Sequence, residues 1–381
     1  MTRPLTRRAG ALALVGLAAA LVTACSPPSD DPSPAASGSA GAVDAATATS
    51  AEAFGGMDAL VAAAKTEGKL NVIALPPDWA NYGEVIKGFQ AKYPEITVTS
   101  DQPDASSADE IATAERLKGQ DGAPDVFDLG AAVALANTDM YAPYKVATWD
   151  DIPTDLKDPD GTWANDYGGY MSIGYDSAKV PAPTSVADLL KADYKGKVAL
   201  NGNPTEAGAA FAGVQMVSIA QGGTAGDLTK GVDFFEQLTK AGNFLPVDPT
   251  PATVESGQTP LVIDWDYLNA SLSEKLPTWE VMVPKEAVVA GFYYQAVNVD
   301  APNPAAARLW QEYLYSDEGQ NLWLAGGARP VRFEAMKTAG TLDAEAAAAL
   351  PPVEGTAVVP TQADAESGKT YLAENWANAV G

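Results

Sequence analysis

Acidic side chains lie next to aromatic side chains at two places in this sequence, and that pairing suits the binding of a positively charged group. Asp78 precedes Trp79, and residues 264–267 read Asp-Trp-Asp-Tyr. A carboxylate pairs with an ammonium ion, and an aromatic face adds roughly 0.5–2 kcal/mol for each cation–π contact. If the strand before residue 264 persists, both of its acids share one face; the simpler interpretation is a face that only meets solvent. The candidate binding residues here are Asp78, Trp79, Asp264, Trp265, Asp266 and Tyr267.

Small and hydroxyl-bearing residues follow other predicted strands or begin predicted helices, where open α/β sheets present their ligand sites. Ser107 and Glu110 have the spacing of a helix capping box, so Ser107 is interpreted first as a cap and second as a ligand contact. Helix starts favour anions, but Glu206 at the predicted start of another helix would repel one. Side chains alternate along a strand, so one of two adjacent tyrosines should face a ligand. These candidates are Ser106, Ser107, Gly130, Ala131, Tyr167, Thr205, Glu206, Tyr293 and Tyr294.

The residues needed for the common catalytic and metal sites are missing. The sequence contains no histidine and a single cysteine, Cys25, which excludes an internal disulfide and a zinc site built from His and Cys. It contains neither a Gly-x-Ser-x-Gly elbow nor a phosphate-binding Gly-x-x-x-x-Gly-Lys-Ser/Thr loop. We therefore expect no enzyme activity, no cofactor and no resident metal. A hard cation held by Asp, Glu and Tyr oxygens stays an alternative, as does a secreted hydrolase that uses two carboxylates.

The overall charge limits the partners. A net charge of −25 over 381 residues repels phosphate backbones, so nucleic acid is excluded as a partner. The same field either keeps the protein soluble outside the cell or attracts a cationic ligand. The length suits about two domains.

The N-terminus has the pattern of a secretion signal that ends in a lipid attachment site. Three arginines precede an apolar run over residues 9–22, which is shorter than the ~20 residues of a membrane-spanning helix. Residues 21–25, LVTAC, resemble the bacterial lipobox, whose cysteine receives a lipid before cleavage. The Arg7-Arg8 pair leaves both the general and the twin-arginine export routes open.

These features predict a processed and anchored chain. Residues 1–24 are the predicted signal peptide, and Cys25 is the predicted lipidation site at the membrane. Residues 26–52 contain almost no large apolar side chain, so they cannot bury enough surface to fold. We expect residues 25–52 to be the lipidated cysteine and a flexible tether.

Strand-like and helix-like patterns alternate from residue 53 onward, which predicts an α/β fold with largely parallel sheets. Helices are expected between the strands, including one over residues 205–220 and a terminal one over about 369–379. The predicted strands are residues 70–75, 96–99, 125–129, 196–200, 260–264, 281–283 and 292–299.

Several short stretches, in this order and behind a lipobox, resemble the type 2 periplasmic binding proteins. The likeness is to the branch that takes iron, thiamine, phosphonates, sugar phosphates or polyamines. Residues 196–200 (GKVAL) with 203–205 (NPT) resemble a second-lobe strand and the helix start that faces the ligand. Residues 261–267 resemble a later strand of that lobe, and 315–320 (YSDEGQ) with 329–332 (RPVR) resemble the C-terminal signature.

The resemblance implies two doubly wound α/β lobes, joined by two crossing strands, with a solute in the cleft between them. Lobe 1 would combine residues 53–170 with 296–381, and lobe 2 would be residues 171–295. The implied function is that of the solute-binding component of a bacterial ABC importer. Such a monomer, lipid-anchored outside the cell, would deliver a small polar, cationic or polyamine-like solute to a membrane permease. A lipoprotein that feeds a sensor or adhesin, and a ferric-iron or phosphonate solute, remain alternatives.

Overall fold

The computed structural model of the protein describes residues 44–381. The predicted signal peptide at residues 1–24, Cys25 and the tether as far as residue 43 lie outside the described residues. None of the helices between residues 44 and 381 combines the length and the apolar sequence that a transmembrane span requires.

The last part of the predicted tether belongs to the folded protein, so the predicted boundary at residue 52 is wrong. Arg308 donates from Nε to the Ala48 carbonyl at 2.6 Å and from Nη2 to the Ala46 carbonyl at 2.8 Å. The backbone N–H of Lys145 donates to the Thr49 carbonyl at 2.8 Å. The lack of large apolar side chains suggested a flexible tether, but this segment needs no core of its own. Donors from elsewhere in the chain satisfy its carbonyl groups.

The secondary structure alternates as expected, and the element bounds are as follows. The strands are β1 (Lys69–Ile73), β2 (Thr97–Asp101), β3 (Val126–Leu129), β4 (Tyr141–Ala142), β5 (Ala164–Asp176), β6 (Val198–Leu200), β7 (Leu261–Trp265), β8 (Trp279–Met282), β9 (Ala290–Asn298) and β10 (Arg329–Pro330). The helices of the first half are α1 (Ala51–Phe54), α2 (Met57–Glu67), α3 (Tyr82–Lys92), α4 (Ser107–Leu117), α5 (Ala131–Ala134), α6 (Gly208–Ala220) and α7 (Thr229–Ala241). The later helices are α8 (Pro251–Glu255), α9 (Asp266–Lys275), α10 (Pro304–Leu314), α11 (Asp317–Ala325), α12 (Phe333–Ala339), α13 (Ala344–Ala349) and α14 (Gln362–Val380).

The strands pair in parallel at the two ends of the fold and antiparallel between them. β1 pairs with β2, and β6 pairs with β7, both in parallel. The main sheet has the order β3-β9-β5-β7-β6, and every pairing of β5 and β9 is antiparallel. The expectation of largely parallel sheets is therefore wrong for the middle of the fold, where two long strands run between the parallel groups.

Strand β5 connects two groups of elements. Residues 164–170 pair with β9 and β10, whereas residues 171–176 pair with β7 and β8. A Cβ atom on Gly168 would lie only 2.2 Å from the Gly291 carbonyl oxygen of β9. The glycine therefore allows these two long strands to approach each other closely.

Aromatic side chains fill the core on both sides of these long strands. Phe89 of α3 packs edge-on against Trp310 of α10, with ring centroids 5.1 Å apart. On the other side, Phe235 of α7 packs against Trp376 of α14 at 5.0 Å. Burying a ring of this size contributes roughly 1.5–3 kcal/mol, so these contacts hold the outer helices onto the sheet.

Helix α14 starts earlier than the predicted position near residue 369, because Thr361 and Asp364 form a capping box. It packs mainly on α7, which the sequence assigned to lobe 2, and also contacts α5. The predicted assignment of residues 296–381 to lobe 1 therefore does not describe α14, which touches elements of both groups.

Candidate functional site

Two segments of the chain enclose an acidic cavity of about 480 Å³. The lining residues of one wall lie between residues 74 and 128. Those of the other wall come from two stretches, residues 201–209 and 248–250, and Tyr293 lines the cavity as well. Among the described residues, no Lys or Arg lines this cavity, which we call the acidic chamber. Its carboxylates are Asp104, Glu110, Asp128, Glu206 and Asp248.

Asp128 is one of the two buried carboxylates of this chamber. It lies in β3, is 7% exposed, and accepts a hydrogen bond from the Tyr167 hydroxyl at 3.1 Å through Oδ2. Its Oδ1 is buried from solvent, and hydrogen bonding from the Tyr82 hydroxyl and the Gln295 amide also favours the charged carboxylate. Burial nevertheless raises the pKa of Asp128 to about 7, because desolvation disfavours the charged form.

Glu110 lies next to Asp128 and is also buried. Its Oε2 accepts a hydrogen bond from the backbone N–H of Asp128 at 3.2 Å. Burial, and after it the negative charge of Asp128, raise the pKa of Glu110 well above its usual range. Burial therefore favours the protonated form of both neighbouring carboxyl groups, and a positive charge nearby would favour their ionised form.

The predicted capping box is one residue out of register. The cap of α4 is Ser106, which exchanges hydrogen bonds with Asp109, rather than Ser107 with Glu110. The shift turns Glu110 inward, and the Ser107 hydroxyl instead accepts a bond from the Gly130 N–H at 3.1 Å. Both serines line the acidic chamber.

Three aromatic rings form one wall of the acidic chamber and of the space behind it. Trp79 donates from Nε1 to the Tyr167 hydroxyl at 2.9 Å. Tyr293 stacks on Tyr167 with ring centroids 5.4 Å apart and meets Trp79 edge-on at 5.6 Å. Trp79 and Tyr293 line the chamber, while Tyr167 is fully buried behind them.

The loops around this wall have a strained backbone. The non-glycine residues with positive φ in the described chain are Ala74, Ala80, Asn81 and Gln102. Ala74 lines the acidic chamber, the pair at 80–81 follows Trp79, and Gln102 precedes the lining residue Asp104 by two positions. Such conformations cost about 1–3 kcal/mol each and cluster at ligand sites.

A smaller cavity of about 340 Å³ adjoins the acidic chamber and shares Trp79 and Asn201 with it. Asp264 lines it, with Oδ2 accepting from Asn201 Nδ2 at 2.8 Å and Oδ1 accepting from the Trp265 N–H at 2.8 Å. Burial raises the pKa of Asp264 to about 7. Asp78 is exposed at the cavity's edge, 3.8 Å from Lys275.

A third cavity of about 440 Å³ shares Gly208 and Tyr293 with the acidic chamber. Gly130 and Ala131 line it, and residues 359–362 form an outer wall. We call this cavity the aromatic chamber, after its rings. They are Trp163, Phe211, Trp265, Phe292, Tyr293 and Tyr294.

Four of the predicted site residues line none of these three cavities, namely Tyr167, Thr205, Asp266 and Tyr267. Asp266 does not share a face with Asp264, because β7 ends at Trp265 and α9 begins at Asp266. Asp266 is instead buried against Arg329 and accepts a bond from the Tyr170 N–H at 2.9 Å. Tyr267 is buried in the core.

Thr205 is also not at a helix start. It belongs to a turn in which its N–H and hydroxyl donate to Asn203 Oδ1 at 3.1 Å and 2.9 Å. Helix α6 begins at Gly208, so Glu206 lies in the preceding turn and lines the acidic chamber from there.

The sequence reasoning missed four of the five carboxylates of the acidic chamber. Asp104 and Asp248 lie in polar loops and carried no distinguishing signal. Glu110 was interpreted as part of a cap. Asp128 did carry a signal, because it is the single charged residue in the otherwise apolar strand β3, and a buried charge in a strand needs a reason.

The adjacent tyrosines do not converge on one point. Tyr293 stacks on Tyr167, whereas Tyr294 packs against Trp163 with ring centroids 4.8 Å apart. Strand alternation in β9 sends the two rings to opposite faces. Within residues 44–381, no group of three or more Cys, Asp or Glu side chains is arranged to hold a metal ion.

Solved structures of binding proteins share this fold at low sequence identity. A periplasmic binding protein from Actinobacillus pleuropneumoniae with fructose-6-phosphate bound is 17% identical, with a TM-score of 0.62 over 82% of this chain and 98% of that chain. The ferric binding protein from Campylobacter jejuni is 18% identical, with a TM-score of 0.61 over 81% and 99%. A chain assigned to spermidine/putrescine ABC transport in Listeria monocytogenes is 13% identical, with a TM-score of 0.63 over 82% and 98%.

These likenesses confirm the predicted type 2 periplasmic-binding-protein fold. No curated protein matches the sequence at a significant level. A profile described as "Bacterial extracellular solute-binding protein" matches residues 121–362, which is more than half of the chain. The chain therefore belongs to the bacterial extracellular solute-binding protein family.

Proposed function

We propose that this protein captures a small organic cation in the acidic chamber. The observation that carries the proposal is the lining of this chamber, which has five carboxylates, including the buried Asp128, and no Lys or Arg among the described residues. An ammonium group there pairs with these carboxylates, and its charge compensates the desolvation of the buried acids. Trp79 and Tyr293 offer aromatic surfaces beside the same position.

An anionic solute is disfavoured by the same geometry. The N-terminus of α6 lines the chamber at Gly208 and would attract a negative group. That group would, however, face Glu110, Asp128 and Glu206 with no Lys or Arg among the described lining residues. Ferric iron is disfavoured because Tyr293 and Tyr294 pack on different partners, Tyr167 and Trp163, instead of converging on one point. A cationic organic solute agrees with the neighbour assigned to polyamine transport.

The two walls of the chamber belong to two lobes that close over the solute. We place the division within β5, close to residue 170, because β5 changes partners there from β9 and β10 to β7 and β8. Tyr170 pairs with Ala290, so the second crossing lies near the start of β9. α14 spans the division, since it contacts both α7 and α5. Closure buries the solute without altering it, and the protein then delivers it to an ABC permease.

We further propose that the monomeric protein is tethered to the outer face of the cell membrane by a lipid on Cys25. The support is the sequence of residues 21–25 behind a charged and apolar start. Cys25→Ala is expected to release the protein into the medium. Recovery of an unacylated N-terminal peptide from membranes of cells that express the natural sequence would contradict the anchor.

A binding screen tests the solute class. Calorimetry and thermal unfolding are run with putrescine, spermidine, choline, ferric citrate, phosphonoacetate and fructose-6-phosphate on the folded protein. A cation is expected to raise the melting temperature in proportion to RT ln(1 + [L]/Kd). Stabilisation by an anion alone would overturn the proposal. Mass spectrometry of the incubated solute is expected to show it intact, and turnover would identify an enzyme instead.

A further inference from the structure

The aromatic chamber adjoins the acidic chamber. Tyr293 and Gly208 line both cavities, so the Tyr293 ring and the Gly208 backbone stand between them. Tyr293 is held in place by its stacking on Tyr167 and its edge contact with Trp79. A solute held among the carboxylates therefore has a second cavity of different lining on the other side of Tyr293.

The second cavity differs from the first in its chemistry. It is lined by rings and small apolar residues, and its single carboxylate among the described lining residues is the exposed Asp155. Asn165 and Gln215 supply its polar surface, and the amide nitrogens of both donate to backbone carbonyls. A second ammonium group would lose its hydration there without a buried partner, whereas an apolar ring gains about 25 cal/mol for each Å² of buried surface.

The C-terminal segment forms the outer rim of this cavity. The Val358 N–H donates to the Val288 carbonyl at 2.7 Å, and the Ala290 N–H donates to the Val358 carbonyl at 2.9 Å. These bonds hold residues 359–361 beside the cavity before α14 begins. The cavity therefore has a fixed rim and stays partly open to solvent, since Val359 and Asp155 are exposed.

We propose that the solute is an amphipathic cation, with its ammonium group at Asp128 and an apolar, ring-sized group in the aromatic chamber beyond Tyr293. The proposal rests on the proposed function and narrows its substrate class from cations in general to cations with one charged end. A polyamine, which is charged at both ends, would place one charge among the rings.

Matched small molecules test separately whether the site binds a cation and whether the aromatic chamber binds an apolar ring. Calorimetry on the full-length protein compares propylamine, 3-phenylpropylamine, 1,3-diaminopropane and 3-phenylpropionate. The phenylpropylamine is expected to bind at least about tenfold more tightly than propylamine and than the diamine, because its ring is buried. Equal affinities of the three amines, or tighter binding of the diamine, overturn the amphipathic class and leave the cation site intact. Binding of phenylpropionate alone, or of no amine at all, overturns the cation site as well.

A variant that fills the aromatic chamber with a larger side chain provides a second test of where the ring binds. Ala132 lines the aromatic chamber on α5, and Ala132→Leu places a branched side chain in it. The ratio of the phenylpropylamine and propylamine affinities is expected to fall to about one, whereas Ala136→Leu, at an exposed neighbouring position, leaves the ratio unchanged. An unchanged ratio in Ala132→Leu would show that the ring binds elsewhere.

Discussion

Trp79 donates its indole N–H to the hydroxyl of Tyr167 at 2.9 Å. The same hydroxyl donates to Asp128 at 3.1 Å, so the aromatic wall and a buried carboxylate of the chamber belong to one hydrogen-bonded chain. The Tyr167 hydroxyl thereby connects Trp79, which lines the chamber, with Asp128, which we propose to bind the charge of the solute. Loss of this hydroxyl should change both the orientation of Trp79 and the pKa of Asp128.

Tyr167→Phe cuts that link without changing the shape of the core. It leaves the Trp79 indole N–H and Asp128 Oδ2 without their partner, so the free energy of unfolding is expected to fall by about 1–3 kcal/mol. Urea unfolding followed by tryptophan fluorescence measures the change. Tyr371→Phe, where the ring is half-buried and its hydroxyl makes no described hydrogen bond, is the control. An equal loss in both variants would show that the hydroxyl of Tyr167 has no special role.

Asp128→Asn tests the charge directly. The amide keeps the size of the side chain and removes the negative charge, so affinity for an amine is expected to fall by about 2–5 kcal/mol, while the unliganded protein keeps its stability. Calorimetry and thermal unfolding check the two parts. Asp160→Asn, at an exposed loop position, should change neither quantity. Unchanged amine affinity in Asp128→Asn would remove Asp128 from the site.

The pH dependence of binding follows from the raised pKa of Asp128. With its pKa at about 7, the unliganded carboxyl is largely protonated below that pH and must lose its proton to pair with an ammonium ion. Affinity for an amine is therefore expected to rise by up to about tenfold for each pH unit between pH 5.5 and 7, and to level off above it. The buried neighbours Glu110 and Asp166, whose pKa values are also raised by burial, extend the dependence upward.

The stability of the unliganded protein should show the opposite trend. A carboxyl whose folded pKa is raised contributes most below its unfolded pKa, near 3.8, and the contribution is lost as the pH rises through 7. Urea unfolding at pH 5.5 and 7.5, with and without amine, measures both trends. An affinity that is flat over this interval would contradict the assignment of a buried, protonated acid at the site.

The Gly130 and Gly208 backbones approach each other across the cleft, and this contact supports a test of closure. A Cβ on Gly130 would lie 3.7 Å from the Gly208 Cα, so there is no room for a large side chain. Gly208→Leu is expected to hold the walls apart, lowering affinity for every amine and increasing the radius of gyration in scattering. Gly122→Leu, where the space around a Cβ is open, is the control. Full affinity in Gly208→Leu would show that the walls need not meet.

Arg329 and Asp266 form a buried ion pair between β10 and the start of α9. Arg329→Met leaves Asp266 buried and uncompensated, so the free energy of unfolding is expected to fall by about 3–5 kcal/mol. Addition of Asp266→Asn should restore most of that loss, since the isolated charge is then removed. A double variant no more stable than Arg329→Met would show that packing of the guanidinium on Tyr170, rather than charge, dominates.

The fold could be predicted from the sequence because it depends on patterns that extend over many residues. The alternation of strands and helices, with the order of short motifs near residues 196–205 and 315–332, was enough to identify the architecture. Ser106 and Thr205 show where local reasoning fails. Helix capping depends on which of several adjacent polar residues is the N-cap. Because the cap is Ser106 instead of Ser107, Glu110 is a buried residue of the chamber instead of part of the capping box.

The site was predicted less well, since burial is decided by tertiary packing. Trp79 was found because it follows a predicted strand, and Tyr293 because it belongs to a pair of tyrosines within one. Asp266 was placed in the site because it has the same type and spacing as Asp264, yet the chain turns into α9 between them and Asp266 meets Arg329. No sequence spacing shows that Arg329 lies there, as the two residues come from distant segments.

Arg308 fastens the carbonyls of Ala46 and Ala48 to α10, and this fixes the point at which mechanical load enters the folded body. Helix α10 packs on α2 and also contacts β9, so the start of the described chain is fixed to the body of the fold. If the protein is tethered through Cys25, as we propose, a force along the tether acts first on α10 and α2.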